Sequence, residues 1–243
     1  MAKPAPKKKA GFQKAYGKTI NTKPGRFIFA HLDIADEYEG NTNFCTNLVV
    51  PHSDRLDEIL KEIDDIGKKS FGAEWSEKPE YYFKPFTKGE EVVAKILAKS
   101  TDLAPEQLAE KKARLDALYA GNYQLRAKSG EDKPPLCYLK VEGEVKPHKL
   151  LRRPGNDEDV AAITAAFYDG AYGIINVTPH TYKKGDGPKA VQGVGLILQA
   201  GMFLKDGPRL GGADIDGMME EDFGTDFEFE SDSDATETEE ISV

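Results

Sequence analysis

Cysteine is scarce in this chain of 243 residues, which holds only Cys45 and Cys137. They lie far apart with no CxxC partner, which excludes a disulfide framework and argues against a zinc cluster, since zinc normally takes four close ligands. Both read as small buried apolar residues. Histidine is nearly as sparse: His31, His52, His148 and His180 show neither HxxxH nor HExxH spacing, so no metal site is expected. No run approaches the roughly 18 apolar residues that a membrane helix requires. The lysine- and proline-rich start has no apolar stretch behind it and is not a secretory signal. The expectation is a soluble globular protein with no membrane contact that works in the cytoplasm.

Enzyme signatures are missing as well. Gly17-Lys18-Thr19 looks like the end of a phosphate-binding loop, but Phe12 stands where the earlier glycine belongs. Gly67-Lys68-Lys69-Ser70 fails in the same way, with Glu62 at that position. Gly193-Val194-Gly195 lacks the third glycine of a dinucleotide fingerprint and reads as strand interior packed closely against a neighbour. No catalytic constellation or cofactor site emerges, and the expectation is a protein that is not an enzyme.

The remaining absences are of charge. The first thirty residues contain no acid, only Lys3, Lys7, Lys8, Lys9, Lys14, Lys18, Lys23 and Arg26. From Ala213 to Val243 there is no Lys or Arg, but there are thirteen carboxylates. Setting those thirteen aside leaves 29 of the 42 acids against 33 bases, so the formal net charge of −9 becomes +4 for the rest of the chain. Such polarity suggests a polyanion partner for one part and a competitor or recruiter at the other end. Three regions follow: a flexible basic arm over 1–25, broken by Pro4, Pro6, Gly11, Gly17, Pro24 and Gly25; a folded domain over 26–212; and a disordered acidic tail over 213–243.

Within the folded region several segments alternate with period two. Arg26 to Ile34 sets Ile28, Ala30, Leu32 and Ile34 against Phe27, Phe29 and His31. Asn43 to Val50 gathers Phe44, Leu48 and Val50 opposite Cys45 and Asn47. Tyr123 to Lys128, Cys137 to Val141, Ala171 to Tyr182 and Val194 to Leu204 complete the strands. Between them, Ser53 can cap a helix carrying Leu56, Ile59, Leu60 and Ile63 and stopped by Gly67; Pro105 can open another that ends before Gly121; Asp157 to Phe167 is a third. The pattern predicts a mainly β, α+β domain: an OB-fold-like, partly open antiparallel barrel with inserted helices.

Binding to single strands without regard to sequence needs cations that follow the phosphates and flat side chains on which bases stack. Candidates for DNA contact are Arg26, Phe27 and Phe29; Arg126 and Lys128; Tyr138 and Lys140; the basic cluster Lys149, Arg152 and Arg153; and Tyr172, Asn176, His180 and Tyr182 running into Lys183 and Lys184. Phe27 and Phe29 either stack on bases or pack beneath an inserted helix. Tyr81-Tyr82-Phe83-Lys84-Pro85-Phe86 interleaves aromatics with lysine, and there a core role is the stronger alternative. In the tail, Phe223, Phe227 and Phe229 among the carboxylates imitate a nucleic-acid strand, so the segment can compete for the DNA groove in cis and bind partner proteins when released.

The order of segments Tyr168-Asp169-Gly170-Ala171-Tyr172, Asn176 to Tyr182, Gly193-Val194-Gly195-Leu196 and Lys205 to Gly212 resembles the C-terminal half of bacteriophage single-stranded-DNA-binding proteins. The strands from Ala30 to Pro51 and the helix after them fit the same family. The resemblance implies an OB-fold core that coats single strands during phage DNA replication, recombination and repair, in the host cytoplasm. It also implies an acidic terminus that contacts replication proteins such as a polymerase, helicase or nuclease. Where such tails commonly end in Phe, this one ends Glu240-Ile241-Ser242-Val243, which makes Phe227 and Phe229 the substitute candidates. Two rivals stand beside this reading: a protein that also holds duplex DNA, and an acidic adaptor or chaperone for basic partners. Oligomeric state is left open, a dimer included.

Overall fold

A computed structural model describes residues 12–38, 41–101, 103–152, 157–185 and 190–210. The strands in chain order are β1 (Ile20–Asn21), β2 (Gly25–Tyr38), β3 (Asn41–Pro51), β4 (Phe86–Lys88), β5 (Asn122–Gly130), β6 (Leu136–Leu139), β7 (His148–Leu150), β8 (Tyr172–Lys184) and β9 (Val191–Lys205). The helices are α1 (Asp54–Phe71), α2 (Glu74–Glu77), α3 (Gly89–Lys99), α4 (Pro105–Tyr119) and α5 (Asp157–Ala166). Pairing runs in a ring, β2-β3-β5-β9-β8 and back to β2. Every pair in the ring is antiparallel except β5 with β9, which is parallel and meets at Lys128 and Ile197. A five-stranded ring with two thin seams, β5–β9 and β2–β8, is the partly open barrel of an OB-fold.

Two apolar cores lie on opposite sides of the β2-β3-β5 wall. The barrel interior holds Phe27, Leu32, Leu48, Val50, Leu125, Ile175, Val177, Leu196 and Leu198. Helix α5, between β7 and β8, packs Ile163 and Ala166 into it, and the ring of Phe167, just past the helix, meets Phe27 edge-on at 5.4 Å. Each such side chain contributes about 1.5–3 kcal/mol on burial. The second core is outside the barrel, where Ile28, Phe29, Cys45 and Val49 are covered by Val92, Val93 and Ile96 of α3 and by Leu115, Leu118 and Tyr119 of α4. Tyr119 donates its hydroxyl to Gln124 Oε1 at 3.0 Å, which satisfies the polar atoms at that contact.

Local departures from the predicted pattern have physical causes. The register of β2 against β3 slips between Ile28 and His31, and Phe29 takes φ +52° there. The extra residue inverts the alternation, so Phe27 turns into the barrel and Ile28 and Phe29 turn out beneath α3 and α4. Ala30 and Leu32, beyond the bulge, face the barrel as the alternation predicts. Helix α1 begins at the Ser53 cap, where Oγ accepts from Leu56 N–H at 3.3 Å, but it does not stop at Gly67. That glycine lies inside the helix under the Trp75 indole, where a Cβ would stand 2.3 Å from Cε2. The helix ends at Gly72, with φ +68°. Residues 12–25, expected to be part of a loose arm, lie along the barrel: Gly17 N–H donates to the Pro179 carbonyl, Ala15 N–H to Thr181 Oγ1, and β1 pairs with β8.

Candidate nucleic-acid interface

With α3 and α4 covering the outer face of β2, β3 and β5, the open face of the barrel is that of β8 and β9. A groove of about 760 Å³ runs over it. Its floor is Ile197 to Met202 of β9 with Ile174 and Asn176 of β8. Lys14, Tyr16 and Asn21 form one wall. The other wall is the end of β5, then Lys133, Pro134, Leu136, Tyr138 and Pro147. The trough exists because β9 outruns β5. Past Ile197 it gains β6 as a new parallel partner, from Leu136 opposite Ala200 to Leu139 opposite Phe203, and the turn from Gly130 to Leu136 stands away from it.

The lining contains two lysines and no carboxylate. Tyr16 is 51 % exposed, with Lys14 Nζ 5.3 Å from the ring centre. Tyr138 is half-buried on the far wall, and Lys140 and Lys149 are exposed on the adjoining edge, where Lys149 pairs with Tyr138 across β6 and β7. A cationic rim around an apolar floor with aromatic walls can hold phosphates at its edges and bases against its sides.

A row of rings leaves the groove at Tyr16. It passes to His180 at 6.2 Å, to Tyr182 at 6.2 Å and to Phe83 at 6.4 Å, where the Arg126 guanidinium lies 4.7 Å from the Phe83 ring centre. His180 and Tyr182 stand opposite Gly195 and Gly193 of β9. Gly193 itself packs under the backbone of Phe83, whose carbonyl oxygen would be 2.4 Å from a Cβ, so close packing is the role of that glycine. His180 is 5 % exposed, and burial together with Lys14 brings its pKa down to about 4. It is neutral at physiological pH and offers no positive charge to a phosphate.

The predicted contact residues are dispersed over the molecule. Tyr138 and Asn176 line the groove; Lys140 and Lys149 flank it. Arg126, Lys128, His180 and Tyr182 belong to the outer face beside it, with Lys128 and His180 buried. Phe27 and Phe29 are core residues, 0 % and 6 % exposed, and present no ring to a base. Arg26 donates to the carbonyls of Gly170 (3.3 Å) and Pro208 (2.8 Å) and lies over Tyr172, which Lys205 also approaches at 4.9 Å. Tyr172 and Tyr182 lie on the same strand β8, ten positions apart, about 34 Å at strand rise. Arg152 is a structural clamp: it donates to the carbonyls of Pro135 and Leu32 and covers the Phe44 ring at 4.7 Å. Lys183 and Lys184 are exposed at the end of β8. Arg153 lies outside the described residues, as do Phe223, Phe227 and Phe229.

Lys14, Tyr16, Asn21, Lys133 and Gln199 also line the groove and were not among the residues picked out from the sequence. The signal available for Lys14 and Tyr16 was the pairing of a cation with an aromatic in the N-terminal segment, which its glycines and prolines disguised as a loose arm. Among the described residues no helix is long and apolar enough to cross a membrane.

No family model matches the chain, and no curated protein does. Among solved structures it is similar to the single-stranded-DNA-binding protein of bacteriophage Enc34 in complex with ssDNA, at 16 % identity over 79 % of this chain and 89 % of that one, with a TM-score of 0.47. It is also similar to gp2.5, a single-stranded-DNA-binding protein encoded by bacteriophage T7, at 14 % identity over 83 % of this chain and 94 % of that one, with a TM-score of 0.45.

Proposed function

We propose that this chain binds single-stranded DNA, with little regard to sequence, in the groove over β8 and β9. The observation that carries the reading is the lining itself: cations, two accessible tyrosines and a largely apolar floor, with no carboxylate, in a chain whose net charge is −9. The groove suits an unpaired strand, whose bases reach walls and floor while its phosphates stay at the rim near Lys14, Lys133, Lys140 and Lys149. A duplex keeps its base faces stacked inside and has no use for Tyr16 and Tyr138.

The acidic tail over 213–243 competes for the same groove and, when displaced, recruits proteins of phage DNA replication, recombination and repair through Phe223, Phe227 and Phe229. The charge division between body and tail supports this part. The test is a titration of labelled oligo-dT and of a matched duplex with the full chain at several salt concentrations. Tighter binding of the single strand, with an affinity that falls linearly on a log–log salt plot, is expected. Equal affinity for both forms would favour a duplex-holding protein. No affinity for either, with retention of basic proteins, would favour the acidic adaptor.

A further inference from the structure

Where one wall of the groove meets its floor, the side-chain amides of Asn21 and Asn176 bond to each other, and Gln199 lines the same groove. Strand β8 pairs Asn176 with Ala200 and Val177 with Leu198, which leaves Gln199 of β9 bulged between them. Such a bulge re-aims a side chain, and Gln199 is exposed in the groove, where its Nε2 donates to Thr178 Oγ1 at 3.2 Å. Thr178 Oγ1 in turn shares a 2.7 Å hydrogen bond with Thr19. Strand β1 brings Asn21 opposite Asn176, and Asn176 Nδ2 donates to Asn21 Oδ1 at 2.7 Å. After that bond Asn21 retains its two N–H groups, and Asn176 its carbonyl oxygen and its second N–H.

We propose that the Asn21–Asn176 pair is a base-edge subsite that reads a donor beside an acceptor without selecting among bases. This rests on the reading of the groove as a single-strand site and says how that site can hydrogen-bond to bases while staying tolerant of sequence. The pair is reversible. When both amides turn over, Asn21 donates to Asn176 instead, and the outward donor and acceptor exchange places. Amide oxygen and nitrogen are nearly equal in size and reach, so the two arrangements fill the same space. Every base carries a donor beside an acceptor on its pairing edge: the amino group and N1 of adenine, the amino group and N3 of cytosine, N1–H and O6 of guanine, N3–H and O4 of thymine. One setting of the switch meets each of them. An apolar floor alone would leave those base atoms without partners, which is costly once water is displaced. A fixed donor–acceptor pair would instead favour one class of base.

The experiment uses the full chain, its Asn21→Asp and Asn21→Ala variants, and oligomers of dT, dC and dA with an abasic phosphodiester of equal length. Asn21 is exposed, and unchanged thermal unfolding of both variants verifies that the fold is kept. Wild type is expected to bind the three homopolymers within a few-fold of one another and the abasic chain more weakly. An aspartate at position 21 only accepts, so it fixes Asn176 as donor to it and turns two acceptors outward. Asn21→Asp should therefore shift the ratio of dC and dA to dT affinity in favour of the amino-bearing bases by about tenfold, one good hydrogen bond. Asn21→Ala should lose affinity for all three homopolymers but not for the abasic chain. Equal losses of all four oligomers with Asn21→Asp would overturn the subsite while leaving the groove reading in place, whereas wild-type binding of the abasic chain as tight as that of dT would overturn both. Failure of wild type to bind any oligomer would overturn the groove reading itself.

Discussion

At the residue scale, exposure separates the aromatic side chains that can act on a ligand from those that hold the barrel. Tyr16 is half open to solvent and Phe27 is closed off, although each lies within two residues of a basic side chain in the sequence. Tyr16→Ala is expected to weaken oligo-dT binding by about 1–3 kcal/mol, the worth of one stacked base, with thermal unfolding unchanged. Phe27→Ala should instead cost about 3–5 kcal/mol of stability in a urea titration, because it empties a site in the barrel core. His180 makes a prediction of its own. Its folded pKa of about 4 lies below the unfolded value of 6.5, so the unfolded chain takes up a proton that the native one refuses. The stability this confers is complete above pH 6.5 and is lost as the pH falls towards 4. The loss attributable to His180 is on the order of 3 kcal/mol, set by the pKa difference. Urea midpoints at pH 7 and pH 4.5 should differ less for His180→Gln than for wild type.

At the element scale, helix α1 and its cover show how a single hydrogen atom decides a contact. Gly67→Ala would drive a methyl into the Trp75 ring and should cost about 1–3 kcal/mol, read from the urea midpoint, since overpacking a tight core is destabilising. The same glycine marks where sequence reading met its limit, because it looked like a helix stop while serving a packing role that only Trp75 reveals. The alternation of Phe44, Leu48 and Val50 and the cap at Ser53 were legible, since strand period and capping chemistry are local. The bulge that reverses Phe27 and Ile28 was not legible, because nothing in Arg26 to Ile34 announces an inserted residue. Nor could the sequence tell that α3 and α4 would cover Phe29 and Cys45, since that depends on those two helices folding back over β2, β3 and β5. The site followed the same rule. Tyr138 and Asn176 were found by their strand positions, but Lys14, Tyr16 and Asn21 join them only because the N-terminal segment lies along β8.

At the scale of the whole molecule, charge and closure govern behaviour. Removing residues 213–243 takes away thirteen carboxylates and leaves a cationic body. Truncation at residue 212 is expected to tighten oligonucleotide binding at low salt, with the two proteins converging as salt screens the tail. Fluorescence titrations at 20 mM and 300 mM salt, about 20 Å and 6 Å of screening length, would record that convergence or its failure. The barrel's closure has a mechanical corollary. Strands β5 and β9 share a single pair of residues, Lys128 and Ile197, and Ile197 is also part of the groove floor. The ring is therefore thin along the line that a bound strand would cover, with Ser129 and Gly130 on one bank and Ile197 to Met202 on the other. An oligonucleotide seated there would act as a suture, and the temperature at which the barrel unzips should climb with the logarithm of its concentration.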